Sequence, residues 1–326
     1  MRRAVAALAV ILTAASSVAQ PRPSARLIVG EGLNEPFAVD FDRSGRMFIA
    51  EMSGNRVSVF DPRQGLLPLP TPFHGPHHLI TGPDGLVYVA DTWAHVVRRV
   101  DPATGAVTIF AGTGEKGFGG DGGQARDALF GSVFAIAIHA GTLYIADLDN
   151  RRIRSVDLAT GLVATVAGNG ATGVPVDGAD ARTQPLVDPR AVALDASGQI
   201  YICERGGHAL RVVDKTGRIR TVAGTGVAGF SGDGGPALKA TMRGPKHISI
   251  DSDDSVLITD TENHVIRRYR PSTGTMERVA GTGEAGAAGL DGPPEHLQLN
   301  RPHGAFRHEG ALYISDSENH RVVVLR

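Results

Sequence analysis

The chain has 326 residues and a formal net charge of −1. So even a balance argues against nucleic acid or an anionic membrane surface as the main partner. Its single cysteine excludes an internal disulfide, so cohesion has to come from packing.

In chain order, the first segment reads as an export signal. Arg2 and Arg3 supply a basic start, Ala4 to Ala15 an apolar stretch too short to span a bilayer, and Ser17-Val-Ala19 a small-residue cleavage site. Cleavage is expected after Ala19, leaving residues 20–326 as one secreted or periplasmic domain with no later segment apolar enough for membrane insertion. Without Arg2 and Arg3, 31 basic residues face 34 acidic ones, a formal charge of −3.

The rest of the chain repeats one pattern six times. A short apolar strand ends in an acid, as in Phe48-Ile-Ala-Glu51, Tyr88-Val-Ala-Asp91, Tyr144-Ile-Ala-Asp147, Tyr201-Ile-Cys-Glu204, Leu257-Ile-Thr-Asp260 and Tyr313-Ile-Ser-Asp316. Successive acids are 40, 56, 57, 56 and 56 residues apart, the mark of one repeated supersecondary unit. Within the copy from Asp188 to Gly224, four runs rich in Val, Ile, Leu and Tyr are separated by Gly, Asp and Ser punctuation and read as four antiparallel strands. Six four-stranded units predict an all-β, six-bladed propeller with blades near 36–70, 76–112, 133–168, 189–224, 245–281 and 302–326. Cys203 occupies the place of Ala90, Ala146, Thr259 and Ser315, a tightly packed position where it acts as a small buried hydrophobe.

The sixth copy stops after its third strand, at Leu325-Arg326, and the missing fourth strand is found at 26–30, in Leu27-Ile-Val-Gly-Glu-Gly32. The N-terminal strand is therefore expected to complete the last blade and close the ring. Long Gly-rich loops lead into some blades, at Gly117-Phe-Gly-Gly-Asp-Gly-Gly123 and Gly229-Phe-Ser-Gly-Asp-Gly-Gly-Pro236, with shorter forms at Asp177-Gly178 and Asp291-Gly292. They lack the alternating oxygens and closing Glu of an EF-hand and the Gly-Lys-Ser/Thr of a phosphate loop. The expectation is a turn whose Asp accepts local backbone hydrogen bonds.

Asp260-Thr-Glu-Asn-His-Val-Ile-Arg267, Asp316-Ser-Glu-Asn-His-Arg-Val322 and Asp147-Leu-Asp-Asn-Arg-Arg-Ile153 resemble the Asn-His-Arg-Ile signature of NHL-repeat β-propellers. The resemblance covers essentially the whole chain after Ala19 and implies a fold, while such propellers serve as binding platforms, scaffolds and sometimes enzymes. His95, His208, His264 and His320 fall at the signature position and read as turn residues.

The face that carries the loops entering each blade is the expected ligand face. There, the residue following the Pro that opens most repeats is Phe37, His77, Phe134, Arg190, Lys246 and His303 round the ring. Two His, one Arg and one Lys suit an anionic or carbonyl-bearing ligand, with Glu51 and Glu204 at neighbouring strand ends as further candidates. The six strand-end acids as a class are expected to cap the turn that follows them. Trp93 and Arg205 lie in loops of the same face, within reach of a partner. The first reading is a monomeric binding or scaffold module for a protein, peptide or glycan, without a cofactor.

The alternative is an enzyme. Pro76-His77 and Pro302-His303 resemble the segments by which the NHL-like peptidylglycine amidating lyase holds zinc, so His77 and His303 are the candidate metal ligands. A third could come from His74, His78 or His247, although His78 and His247 should point away from His77 and Lys246 by strand alternation. A lactonase of the gluconolactonase class, with calcium or another divalent ion at the channel, is the second enzymatic form, resting on Asn34-Glu35-Pro36 and the mouth acids.

Overall fold

The computed structural model describes residues 23–326; the expected signal segment and its cleavage site lie outside them. Six antiparallel sheets around a common axis form the predicted propeller, five of them built on four consecutive strands and the sixth on the last three strands of the chain joined by the first. In the second blade the strands are Pro76–Thr81, Val87–Asp91, Val96–Val100 and Val107–Ala111, running from the axis outward. Their tight turns follow from local chemistry. Asp42 Oδ1, for instance, accepts the backbone N–H groups of Ser44 at 2.9 Å and Arg46 at 3.0 Å, while Gly45 takes the positive φ of 82° that the hairpin needs. The core lies between the faces of neighbouring blades. One cluster joins Ala146, Tyr201, Ile202, Leu210, Ile258 and Met276, from three successive blades, and Cys203 is a free, buried member of it.

The ring closes as expected. Ala25–Val29 pairs antiparallel with Arg321–Leu325 and becomes the outermost strand of the sixth blade, with Ala25 opposite Leu325 and Leu27 opposite Val323.

Two expectations about local turns are corrected. The six strand-end acids are all completely buried and accept no backbone N–H from the turns that follow them, although Asp147, Asp260 and Asp316 each accept the side-chain amide of the turn's asparagine, Asn150, Asn263 or Asn319, at 2.8 Å. The backbone N–H that each accepts lies in the segment that leads into its own blade: Asn34 to Glu51 (2.7 Å), His74 to Asp91 (2.6 Å), Gly131 to Asp147 (2.8 Å), Val187 to Glu204 (2.7 Å), Arg243 to Asp260 (2.8 Å) and Asn300 to Asp316 (2.7 Å). Each is also neutralised by an arginine of the third strand. The pairs are Glu51–Arg56, Asp91–Arg98, Asp147–Arg154, Glu204–Arg211, Asp260–Arg267 and Asp316–Arg321, at 2.7 to 3.6 Å. A bare carboxylate in this setting would be prohibitive, so the arginine is a condition of the acid's burial.

The Gly-Asp-Gly loops are not local turns either. Their backbones lie along the outer edge of the following blade: Gly122 N–H to Val163 O (2.7 Å), Gly178 N–H to Ile219 O (2.8 Å), Gly234 N–H to Met276 O (2.7 Å) and Asp291 N–H to Ala25 O (2.7 Å). Asp121 then pairs with Arg154 at 2.5 Å and Asp233 with Arg267 at 2.7 Å, so the carboxylate serves the next blade rather than its own loop. The loops thus cover strand edges that would otherwise offer free backbone groups.

The signature turn residues also link blades. Asn55, His95, Arg151, His208, His264 and His320 all take positive φ. His208, His264 and His320 accept, at Nδ1, the backbone N–H of Gly244 (3.1 Å), Arg301 (3.0 Å) and Glu35 (3.1 Å) in the adjoining blade.

Deleting Ala25–Val29 strips the sixth blade of its outer strand and exposes the edge of Arg321–Leu325. Thermal unfolding of that variant should show a midpoint more than about 10 °C below the full chain's; an unchanged midpoint would refute this mode of closure.

Candidate functional site

The six residues that follow the opening Pro positions meet at one end of the channel. Phe37 stacks on His303 with ring centroids 3.7 Å apart and meets His77 edge-on at 4.9 Å. His77 meets Phe134 at 4.6 Å, the Arg190 guanidinium lies 3.7 Å from the Phe134 ring centre, and Lys246 Nζ is 3.3 Å from His303 Nε2. The result is a plug rather than an open pore: five of the six residues are buried and Lys246 nearly so. Trp93, half exposed, stands at its rim against His77 and Phe134. A Cβ at Gly75 would collide with that indole, which explains a glycine there.

A backbone irregularity places these residues. Pro76 pairs with Asp91 and His78 with Ala90, so His77 is an extra residue in the inner strand, and the same shift occurs in the first, third and fourth blades. The bulge overturns the alternation argument for His78, and His247 lies opposite it although the inner strand of the fifth blade pairs without such a shift. Both reach the axis, one level below the plug, where their Nε2 atoms are 2.9 Å apart across the channel and Phe306 packs on each ring. Nothing in strand periodicity could reveal this pair. Below it a cavity of about 200 Å³, lined by Leu79, Ile136, Val192, Ile248 and Phe306, runs toward the opposite face.

Of the other candidates, Glu51 and Glu204 do not join the plug. Glu51 is held by Arg56 and by Ser58 Oγ (2.5 Å), and Glu204 by Arg211 Nε (2.8 Å). Arg205 is at the mouth but bound to Asp188 at 2.6 Å.

The charges of the plug are uneven. Lys246 contacts Glu262 at 2.9 Å, and burial brings its pKa down to about 8. Arg190 has no carboxylate partner, and its Nε and Nη1 are buried without a hydrogen bond among the described residues. Desolvation, then repulsion from Arg205, lowers its pKa to about 9. His77 and His303 donate from Nδ1–H to the carbonyls of Gly75 (2.7 Å) and Arg301 (2.9 Å).

That donor set does not fit a divalent cation. The free nitrogen of His303 faces an ammonium, an uncompensated guanidinium lies close by, and no group of three or more His, Cys, Asp or Glu side chains converges as metal ligands among the described residues. The arrangement is suited to an anion.

Burial holds all four channel histidines neutral, His78 with its pKa brought down to about 3 and His77, His247 and His303 well below 6.5. The unfolded chain protonates these groups below about pH 6.5 while the folded chain does not, so they cost stability progressively as pH falls from 6.5 toward 3. Replacing the pair, His78→Leu with His247→Met, should make stability fall less steeply over that range, by on the order of 1.4 kcal/mol per pH unit for each histidine removed. Denaturant titrations at several pH values check this, and an unaltered acid limb would contradict it.

No protein-family model matches the chain. It is 26% identical over 306 residues to NHL repeat-containing protein 2 of Homo sapiens, a match covering 84% of this chain and 41% of that protein. The chain spans less than half the length of the curated relatives it matches. An auxiliary nutrient binding protein from Bacteroides ovatus has the same fold with a TM-score of 0.72 at 16% identity, covering 94% of this chain and 77% of that one. Virginiamycin B lyase from Staphylococcus aureus aligns with a TM-score of 0.59 at 15% identity, over 93% of this chain and 99% of that one. At such identities the structural likeness concerns the fold alone.

Proposed function

The chain is an NHL-type six-bladed propeller, and from that premise we propose that it is an exported binding module whose channel mouth recognises a carboxylate group on a peptide or glycan. The observation that carries the reading is Arg190, a buried guanidinium with no acidic partner and two N–H donors without acceptors. Every other buried arginine among the described residues is matched: Arg154 by Asp121 and Asp147, Arg267 by Asp233 and Asp260, Arg211 by Glu204 and Arg321 by Asp316. An unmatched charge at the axis costs stability and supports recognition, since an incoming carboxylate gains a charge-assisted hydrogen bond in a dry setting. Lys246 adds a second cation, and the imidazoles of His77 and His303 add polar edges. Trp93 offers an exposed aromatic face to the body of the ligand, and Arg205 a rim charge. A bound anion would also satisfy the orphaned donors of Arg190.

The test is calorimetric titration of the processed protein with oligoglutamate and with oligogalacturonate. One of the two should bind, with affinity that falls as salt rises, and Arg190→Met combined with Lys246→Met should weaken it at least about a hundredfold, the equivalent of two charge-assisted hydrogen bonds. Failure of both to bind, or equal binding by the double variant, would overturn this reading.

A further inference from the structure

The Gly-rich loops cover the outer edges of the third to sixth blades, and among the described residues the second blade has no such cover. Register makes the comparison direct. In the third blade Leu143, Val156 and Val163 lie side by side; in the second the same row is Val87, Val100 and Val107. Val163 bonds through both backbone groups to the loop, from Gly122 N–H (2.7 Å) and to Gly123 O (3.0 Å). Among the described residues no backbone group outside the blade pairs with Val107. Val163, Ile219, Met276 and Ala25 are buried under their loops, while Val107 is partly exposed and Ile109, two residues along the same edge, is 42% exposed. One group on this edge is occupied: Arg126 Nη2 donates to Ile109 O at 3.0 Å.

The cation beneath the edge is underused as well. Arg98 is the counterpart of Arg154 and Arg267. Those two are wholly buried because Asp121 and Asp233 of the covering loops close over them. Arg98 has only the strand-end acid Asp91 and the carbonyl of Pro72, and its side chain remains 17% exposed. Arg126 adds positive charge at the same edge. The first blade lacks a covering loop too, but its outer strand Gly65–Pro68 is short and ends in proline, and Ser58 stands where the arginine would be. Val107–Ala111 is longer, contains no proline and is rich in strand-forming residues.

We propose that the outer edge of the second blade accepts an extended, acidic, glycine-containing segment of a partner protein as an added strand, with its backbone on Val107 and Ile109 and its carboxylate on Arg98. The chain's own loops supply the template for the occupant, because Gly-Asp-Gly segments already do this on neighbouring blades. The surface is separate from the channel mouth and does not depend on what binds there.

The probe is a fluorophore-labelled peptide Gly-Phe-Gly-Gly-Asp-Gly-Gly, the sequence of residues 117–123, added to the full folded chain. Saturable anisotropy is expected, together with slowed amide exchange across Val107–Ala111. The peptide with Asn in place of Asp should bind about tenfold more weakly, the loss of one charge-assisted hydrogen bond. Ile109→Pro should abolish binding while thermal unfolding stays unchanged. The exchange measurement and the Asn peptide test the same proposal on the unaltered protein, whatever the variant does to the fold. Equal affinity of the two peptides, or no slowing at Val107–Ala111, would overturn it. Protection that grows with protein concentration in the absence of peptide would also overturn it, by assigning the edge to a second copy of the chain.

Discussion

The buried acid at the end of each second strand is the constraint on which the rest of the structure depends. It fastens three parts of a blade at once: its own strand, the segment that brings the chain in from the previous blade, and an arginine of the third strand. All six carboxylates are fully buried, so removing any one partner leaves an uncompensated charge or an unsatisfied N–H in a dry setting. The fastening sits directly before the inner strand and sets where that strand starts. Loops of very different length can then precede a blade without displacing it, as the 40-residue and 56-residue spacings between acids show.

With the start of each inner strand fixed, the next residue is delivered to the axis. Successive residues reach successive levels, with a bulge at this point in the first four blades: first the plug of Phe37, His77, Phe134, Arg190, Lys246 and His303, then the imidazole pair of His78 and His247. The molecule therefore carries two kinds of buried arginine. Arg154 and Arg267 are matched by acids on both sides and belong to the scaffold, while Arg190 sits on an aromatic ring with no counter-charge. Propeller architecture explains the first kind and gives no reason for the second.

Much of this was legible in the sequence. Six acid-ended strands specified six blades, the strand missing after Leu325 and present at Leu27 specified the closure, and the residue after each opening proline specified the plug. The roles of the acids were misread because their arginines come from a different strand, although a signal exists: in four copies an arginine follows the acid by seven residues, as in Asp91 and Arg98 or Asp260 and Arg267. The Gly-Asp-Gly loops were misread for a similar reason, since their partners belong to the next blade and local turn chemistry says nothing about them. His78 could not have been placed from the sequence, because a bulge suspends the alternation on which such placement rests, and its contact with His247 comes from the closed ring. The short first spacing, 40 residues instead of 56, marked the missing cover of the second blade's edge, but only the register of the other blades shows what is missing.

The division between scaffold arginines and the ligand-directed one can be tested by stability alone. Denaturant unfolding at pH 7 of Arg154→Met and Arg190→Met, beside the unaltered chain, compares the loss of a matched buried cation with the loss of an unmatched one. Arg154→Met should lower stability by about 3–5 kcal/mol, because Asp147 is left buried without its partner, whereas Arg190→Met should be neutral or stabilising. Equal destabilisation by the two substitutions would make Arg190 a structural cation like the others and contradict the account.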